Sequence, residues 1–95
     1  MPTLRIEHGV RDYDAWKAAF DSDPVGRVAG GVRGYRVLRP NDDPNHVVVD
    51  LEFDTLAEAE AFGEKLRALW AGPASGLGLQ DARARILDVV ETREL

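Results

Sequence analysis

Apolar and polar positions alternate with a period of two from His46 to Phe53, with Val47, Val49, Leu51 and Phe53 on one side and Val48, Asp50 and Glu52 on the other. That period marks a strand with one face in a core and the other in a mixed setting. At Asp54-Thr55 it changes. Thr55 followed by Glu58 predicts a capping box, hydroxyl and carboxylate each taking up an unpaired backbone N–H of a first helical turn. Leu56, Ala59, Phe62, Gly63, Leu66, Leu69 and Trp70 then fall on one helical stripe, away from Glu60, Glu64, Lys65 and Arg67. Gly63 on that stripe costs about 1 kcal/mol relative to Ala, which predicts that a strand or a ligand approaches it closely.

The rest of the chain divides by the same signals. Thr3 to Gly9 alternates Leu4, Ile6 and His8 against Arg5, Glu7 and Gly9, a first strand. Asp12 can cap a helix from Tyr13 to Asp21, with Tyr13, Trp16, Ala19 and Phe20 on its inner stripe. Pro24 suits the first turn of a short second helical piece ended by Gly30-Gly31. Gly34 to Arg39 is a second strand, with Tyr35 and Val37 opposite Arg36 and Leu38, and the turn-forming loop Pro40 to Asn45 makes a hairpin to the central strand. Ala71 to Asp81 is a Gly-rich connection. Within it Gly72 to Gly78, rich in glycine and without apolar periodicity, reads as a mobile lid. Arg83 to Glu91 is a last strand, with either Leu87 and Val89 or Ile86 and Val90 toward the helices. Strand, helix, strand, strand, helix, strand is the split βαβ pattern: an α+β, ferredoxin-like fold with a four-stranded antiparallel sheet and both helices on one face. With no repeat or linker, residues 1–95 read as one domain.

Composition narrows the partners. Twelve Lys and Arg against 17 Asp and Glu leave a net charge of -5 without basic clusters, which argues against nucleic acid. The absence of cysteine removes disulfides, thiolate metal sites and cysteine nucleophiles. The N-terminal MPTLRIEHGV lacks a signal peptide's basic start and apolar run, and no apolar stretch approaches the ~20 residues that span a bilayer. The expectation is a cytoplasmic protein without membrane, metal or cofactor.

The segments VRDYDAWKAAFD and GVRGYRVLRPNDDPNHVVVDLEFDTLAEAEAF together resemble the dimeric α+β barrel superfamily that includes the antibiotic biosynthesis monooxygenase-like proteins. Gly34-Tyr35 matches that group's Gly-aromatic opening of the second strand, and Phe53 matches the aromatic before the second helix's cap. The resemblance implies a homodimer joined through the open sheet face. It also implies a range of activities, among them cofactor-free oxygenation, haem degradation, lactone isomerisation and polyketide cyclisation. The quinone-forming monooxygenases resemble one another in an Asn four residues before a Trp on the central strand. Here those positions hold Val49 and Phe53. Haem degradation leans on a His on or near the second helix, whereas the histidines here, His8 and His46, both fall on strands.

His8 is the candidate catalytic residue. It shares a face with Leu4 and Ile6, opposite Trp16 and Phe20, and a neutral imidazole there can act as general base toward a phenol or enol. It also reads as a core-edge histidine satisfied by a carbonyl or water. Trp16, Phe20, Tyr35, Val49, Phe53, Phe62 and Trp70 are the expected lining of a pocket for a small hydrophobic or aromatic, polyketide-like ligand, and equally make an ordinary core. His46 reads as solvated, Asp42 and Asp43 as turn formers without calcium-loop spacing, and GLGLQD as a loop. The sheet's other face mixes Leu38 and Val48 with Arg5, Glu7, Arg36, Asp50 and Glu52. That is too apolar for solvent and too charged for a monomer core, which predicts a second copy packed against it. Three functions remain open: a cofactor-independent monooxygenase, isomerase or cyclase with His8 as base, a small-ligand binding module, or an assembly domain with its pocket packed shut.

Overall fold

A computed structural model describes residues 1–23, 25–72 and 80–95. Its elements are β1 (Pro2–Gly9), α1 (Tyr13–Asp21), β2 (Val32–Leu38), β3 (His46–Phe53), α2 (Leu56–Ala71) and β4 (Gln80–Asp88). The strands form one antiparallel sheet in the order β2-β3-β1-β4, the ferredoxin-like arrangement expected. Among the described residues no helix is long and apolar enough to cross a membrane.

Register turns the alternation into a core. Leu4 lies opposite Leu51, Ile6 opposite Val49 and His8 opposite Val47, so these side chains share the face that the helices cover. Tyr35 and Val37 extend that face through β2, and Ala84 and Ile86 through β4. Leu4, Val47, Val49, Leu51 and Phe53 are its fully buried centre. The facing of β4 is thereby set: Ile86 pairs with Leu4 on the inner face, while Leu87 pairs with Thr3 on the outer one.

Both helices start where their caps predict. The Asp12 carboxylate accepts from the Asp14 N–H, and Thr55 Oγ1 accepts from the Glu58 N–H at 3.2 Å. Glu58 completes the cap differently from a reciprocal box, its carboxylate accepting from the Thr55 hydroxyl at 3.0 Å. α2 buries Ala59, Phe62 and Gly63 against the sheet. Leu56 departs from the expected stripe and is 53% exposed, since it stands one turn ahead of the first residue that meets the core.

Three local expectations are corrected. Residues 25–31 form turns in place of a second helical piece: Gly26 and Gly31 take φ of +77° and +95°, which breaks a right-handed helix, and Pro24 lies outside the described residues. β2 starts at Val32, two residues early, because the turn at Gly31 delivers the chain directly into pairing with Phe53. β4 runs earlier than expected, and Val89 and Val90 are exposed beyond it. Its last pair joins Asp88 to Pro2, which has no N–H with which to extend the ladder. Of the expected lid, Gly72 to Gly78, residues 73–78 lie outside the described residues.

The outer face is organised by charge. Arg5 Nε and Nη2 donate to the two Asp50 carboxylate oxygens at 2.8 and 2.9 Å, and Arg36 Nη2 approaches at 3.4 Å. The bidentate Arg5 contact holds the Asp50 carboxyl below its ordinary range, and Asp50 is 5% exposed although no helix covers it.

Gly63 is less crowded than its position suggested. A Cβ there would lie 3.8 Å from Leu4 Cδ1 and 3.4 Å from the end of Arg67, so the strand is near but leaves room. The tight approach is at Gly30, where a Cβ would come within 2.6 Å of the Phe62 ring. Gly63→Ala should therefore stabilise the protein by about 0.5–1 kcal/mol through helix propensity. A rise of several degrees in the thermal midpoint followed by circular dichroism is the expected result; a fall would mean that Leu4 cannot accommodate the methyl group.

Candidate functional site

The α1 residues at i, i+3 and i+7 bring three rings to one face. Tyr13 and Trp16 lie 5.9 Å apart between centroids, and Trp16 and Phe20 stack at 5.2 Å and 27°. The ladder meets the sheet at two points: His8 lies edge-on to Trp16 at 5.5 Å, and Tyr35 meets Phe20 at 5.3 Å. Between this ladder, α2 and the sheet lies a cavity of about 100 Å³. Ile6, His8, Val49 and Leu51 form its floor, Trp16, Ala19 and Phe20 one wall, and Phe62, Leu66, Leu69 and Trp70 the other, with Asp23, Val25 and Arg27 completing the lining.

His8 is 3% exposed, with Nδ1 3.3 Å from the Gly9 carbonyl oxygen. In the tautomer that donates this bond, Nε2 carries the lone pair. Burial lowers the imidazole pKa, the Gly9 carbonyl works against that shift, and the neighbouring His46 adds to it. Opposite His8 the β1–β4 register slips, Glu7 pairing with Arg83 and Gly9 with Gln80. Asp81, with φ of +53°, lies in that irregularity. Such bulges re-aim side chains at sheet edges and beside sites.

Five of the expected pocket residues, Trp16, Phe20, Val49, Phe62 and Trp70, come together around the cavity. Tyr35 and Phe53 do not line it. Tyr35, 47% exposed, braces Phe20 from outside, and Phe53 is buried behind Phe62 at 5.6 Å. Arg27 and Asp23 were missed by sequence reasoning. The Asp23 carboxylate accepts from the Arg27 backbone N–H at 2.9 Å, and Arg27 Nη1 donates to the Phe20 carbonyl at 2.7 Å. The guanidinium lies over the Phe20 ring at 4.1 Å and near Tyr35 at 5.0 Å. An Asp and an Arg four apart around Pro24 and Gly26 were a visible signal, but where the Arg points depends on turn dihedrals that the sequence does not display. His46 is half-buried at the start of β3, on the face away from the cavity. Among the described residues no three His, Asp or Glu side chains gather as metal ligands.

No family model matches the chain, and no curated protein matches it. Solved structures do. A proposed antibiotic biosynthesis monooxygenase from Nitrosomonas europaea superposes with a TM-score of 0.70 at 19% identity, covering 96% of this chain and 100% of that one. A second such protein, from Deinococcus radiodurans, gives 0.64 at 13% identity over 100% and 98% of the two chains. A dimeric ferredoxin-like protein from an uncultured marine organism gives 0.65 at 14% over 97% and 96%. The chain thus shares the ferredoxin-like βαββαβ fold of the antibiotic biosynthesis monooxygenase-like proteins, and the likeness read from its sequence holds at the level of fold.

Burial of His8 ties stability to pH. The unfolded chain takes up this proton near the ordinary histidine pKa, the folded chain only at lower pH, so between the two the unfolded state binds more protons. Stability should fall as pH drops below ~6.5 toward the lowered folded value, by at most about 1.4 kcal/mol per pH unit. Urea unfolding at pH 7.5 and 5 should show this loss in the wild type and a smaller one in His8→Gln; equal losses in both proteins would exclude His8 as the cause.

Proposed function

We propose that the protein is a cofactor-independent enzyme that moves a proton on a small phenol or enol held in the cavity, with His8 as general base. The observation that carries this reading is a buried imidazole on the cavity floor with Nδ1 at the Gly9 carbonyl, an arrangement that leaves Nε2 to accept a substrate proton. Rings on both walls suit a flat apolar substrate. An assembly domain has no use for an open cavity. Removing a proton from an O–H or an adjacent C–H makes the ring or enolate electron-rich, the opening step common to isomerisation and cofactor-free oxygenation. Isomerisation needs only that His8 return the same proton to another atom.

His8→Ala should lower kcat by about 100-fold or more on any single-ring phenol or enol that the wild type turns over, followed by absorbance and oxygen uptake. The wild-type kcat/KM should hold level as pH falls through ~6.5 and decline only below it, because burial lowers the pKa of the base. Binding without turnover in both proteins would make the chain a ligand-binding module and end the catalytic reading.

We also propose that a second copy covers the outer sheet face. Val48 and Leu38 pair there across β2 and β3 beside the Arg5–Asp50–Arg36 cluster, an apolar strip next to a buried carboxylate without a helix above it. The marine structure of the same fold is described as dimeric. Val48→Lys leaves the new ammonium opposite Glu7 in a single chain but buries one in each subunit of a dimer. Sedimentation equilibrium should find a wild-type dimer at micromolar concentration and a monomeric or unfolded variant; a monomeric wild type or a stable variant dimer would refute the arrangement.

A further inference from the structure

The cavity is small, and its polar groups lie apart from one another. At about 100 Å³, with one side open to solvent, it is on the scale of the ~150 Å³ cavity that accommodates benzene in an engineered protein core, which suits a single ring. His8 stands by Trp16 and Arg27 by Phe20, the two rings of α1 that line the cavity.

Arg27 is only partly committed to the protein. Nη1 donates to the Phe20 carbonyl, and Nε stands 3.7 Å from Asp23 Oδ1, too far for a hydrogen bond. Nη2 has no hydrogen-bond partner among the described residues. The Arg27 side chain is 17% exposed while Asp23 is 36% exposed, so the cation is the more enclosed of the two and the carboxylate turns further toward water. The guanidinium carbon lies over the Phe20 ring and near that of Tyr35, contacts that restrain the group while leaving Nη2 for an incoming acceptor.

We infer that the cavity selects single-ring aromatic or enolic acids, binding the ligand's carboxylate through Arg27 at one end and presenting its hydroxyl to His8 at the other. This rests on the cavity being the working site and narrows its substrate class. Asp23 is the opposing charge. Because its Oδ1 is already held by the Arg27 backbone N–H, it weakens the field at Arg27 without occupying Nη2.

Calorimetric titration with four probes on one ring, phenol, 4-hydroxybenzoate, 4-hydroxybenzamide and 4-hydroxybenzylamine, tests the inference. The wild type should bind the benzoate about tenfold or more tightly than the amide, as one added charge-assisted hydrogen bond requires. Arg27→Met should abolish that preference and leave phenol binding near wild type, and Arg27→Lys should keep part of it. Equal affinity for benzoate and amide, a tighter benzylamine, or a preference that survives Arg27→Met would overturn the role of Arg27 while leaving the cavity as a phenol site. Failure of all four probes to bind at millimolar concentration would overturn the site itself.

Discussion

Three rings on one face of α1, Tyr13, Trp16 and Phe20, stand between that helix and the sheet, whereas α2 lies directly on β1 and β3 through Ala59, Phe62 and Gly63. The unequal stand-off of two helices on one sheet is what leaves a cavity between them. Small residues on α2 bring backbone close to strand. Large flat ones on α1 keep it away and then form the wall of the space they create. The same geometry encloses His8, whose imidazole is cut off from water by Trp16, and burial is the first cause of its lowered pKa. Packing and proton affinity at His8 therefore have a common origin in the residues chosen for α1.

The two central strands serve both faces of the sheet at once. Along β1, Leu4, Ile6 and His8 point to the cavity side while Arg5 and Glu7 point outward. Along β3, Val49 and Leu51 floor the cavity while Asp50 between them anchors the outer ion cluster. A buried carboxylate stabilises little unless its bonds are satisfied, and the bidentate Arg5 contact satisfies both Asp50 oxygens. Fixing Asp50 also fixes the facing of Val49 and Leu51, since a one-residue slip of β3 would move a carboxylate into the cavity floor. The outer ion pair thereby guards the inner register.

Strand alternation and helix caps were legible because each is a local rule. Period two in β1 and β3, Asp12 ahead of Tyr13, and Thr55 with Glu58 fixed element types and inner faces before any tertiary contact was known. What stayed hidden depends on dihedrals or on partners. Residues 25–31 read as a helical piece because Pro24 and Gly30-Gly31 bracket them, yet positive φ at Asp23, Gly26 and Gly31 makes them turns. The facing of β4 could not be read from an apolar run on both sides; it follows from the pairing of Leu4 with Ile86. Tyr35 and Phe53 were grouped with the cavity residues on correct facing alone, but depth along the sheet, which facing does not specify, puts one outside the cavity and the other behind it.

That same distinction explains where the polar groups lie. The middle of the cavity floor is Val49 and Leu51, fully buried and with apolar side chains. A polar side chain in the centre of β3 would face desolvation on every side and need a partner within the core. Here the polar atoms come from places where the regular ladder fails: His8 beside the β1–β4 irregularity, and Asp23 with Arg27 on the turns before β2. Both groups meet a backbone carbonyl there, His8 that of Gly9, and Arg27 that of Phe20, which also accepts the Asp23 N–H. The sheet thus supplies an apolar floor, and its interruptions supply the polar groups, so a ligand of the kind proposed for this cavity would be oriented by its termini and not by its middle.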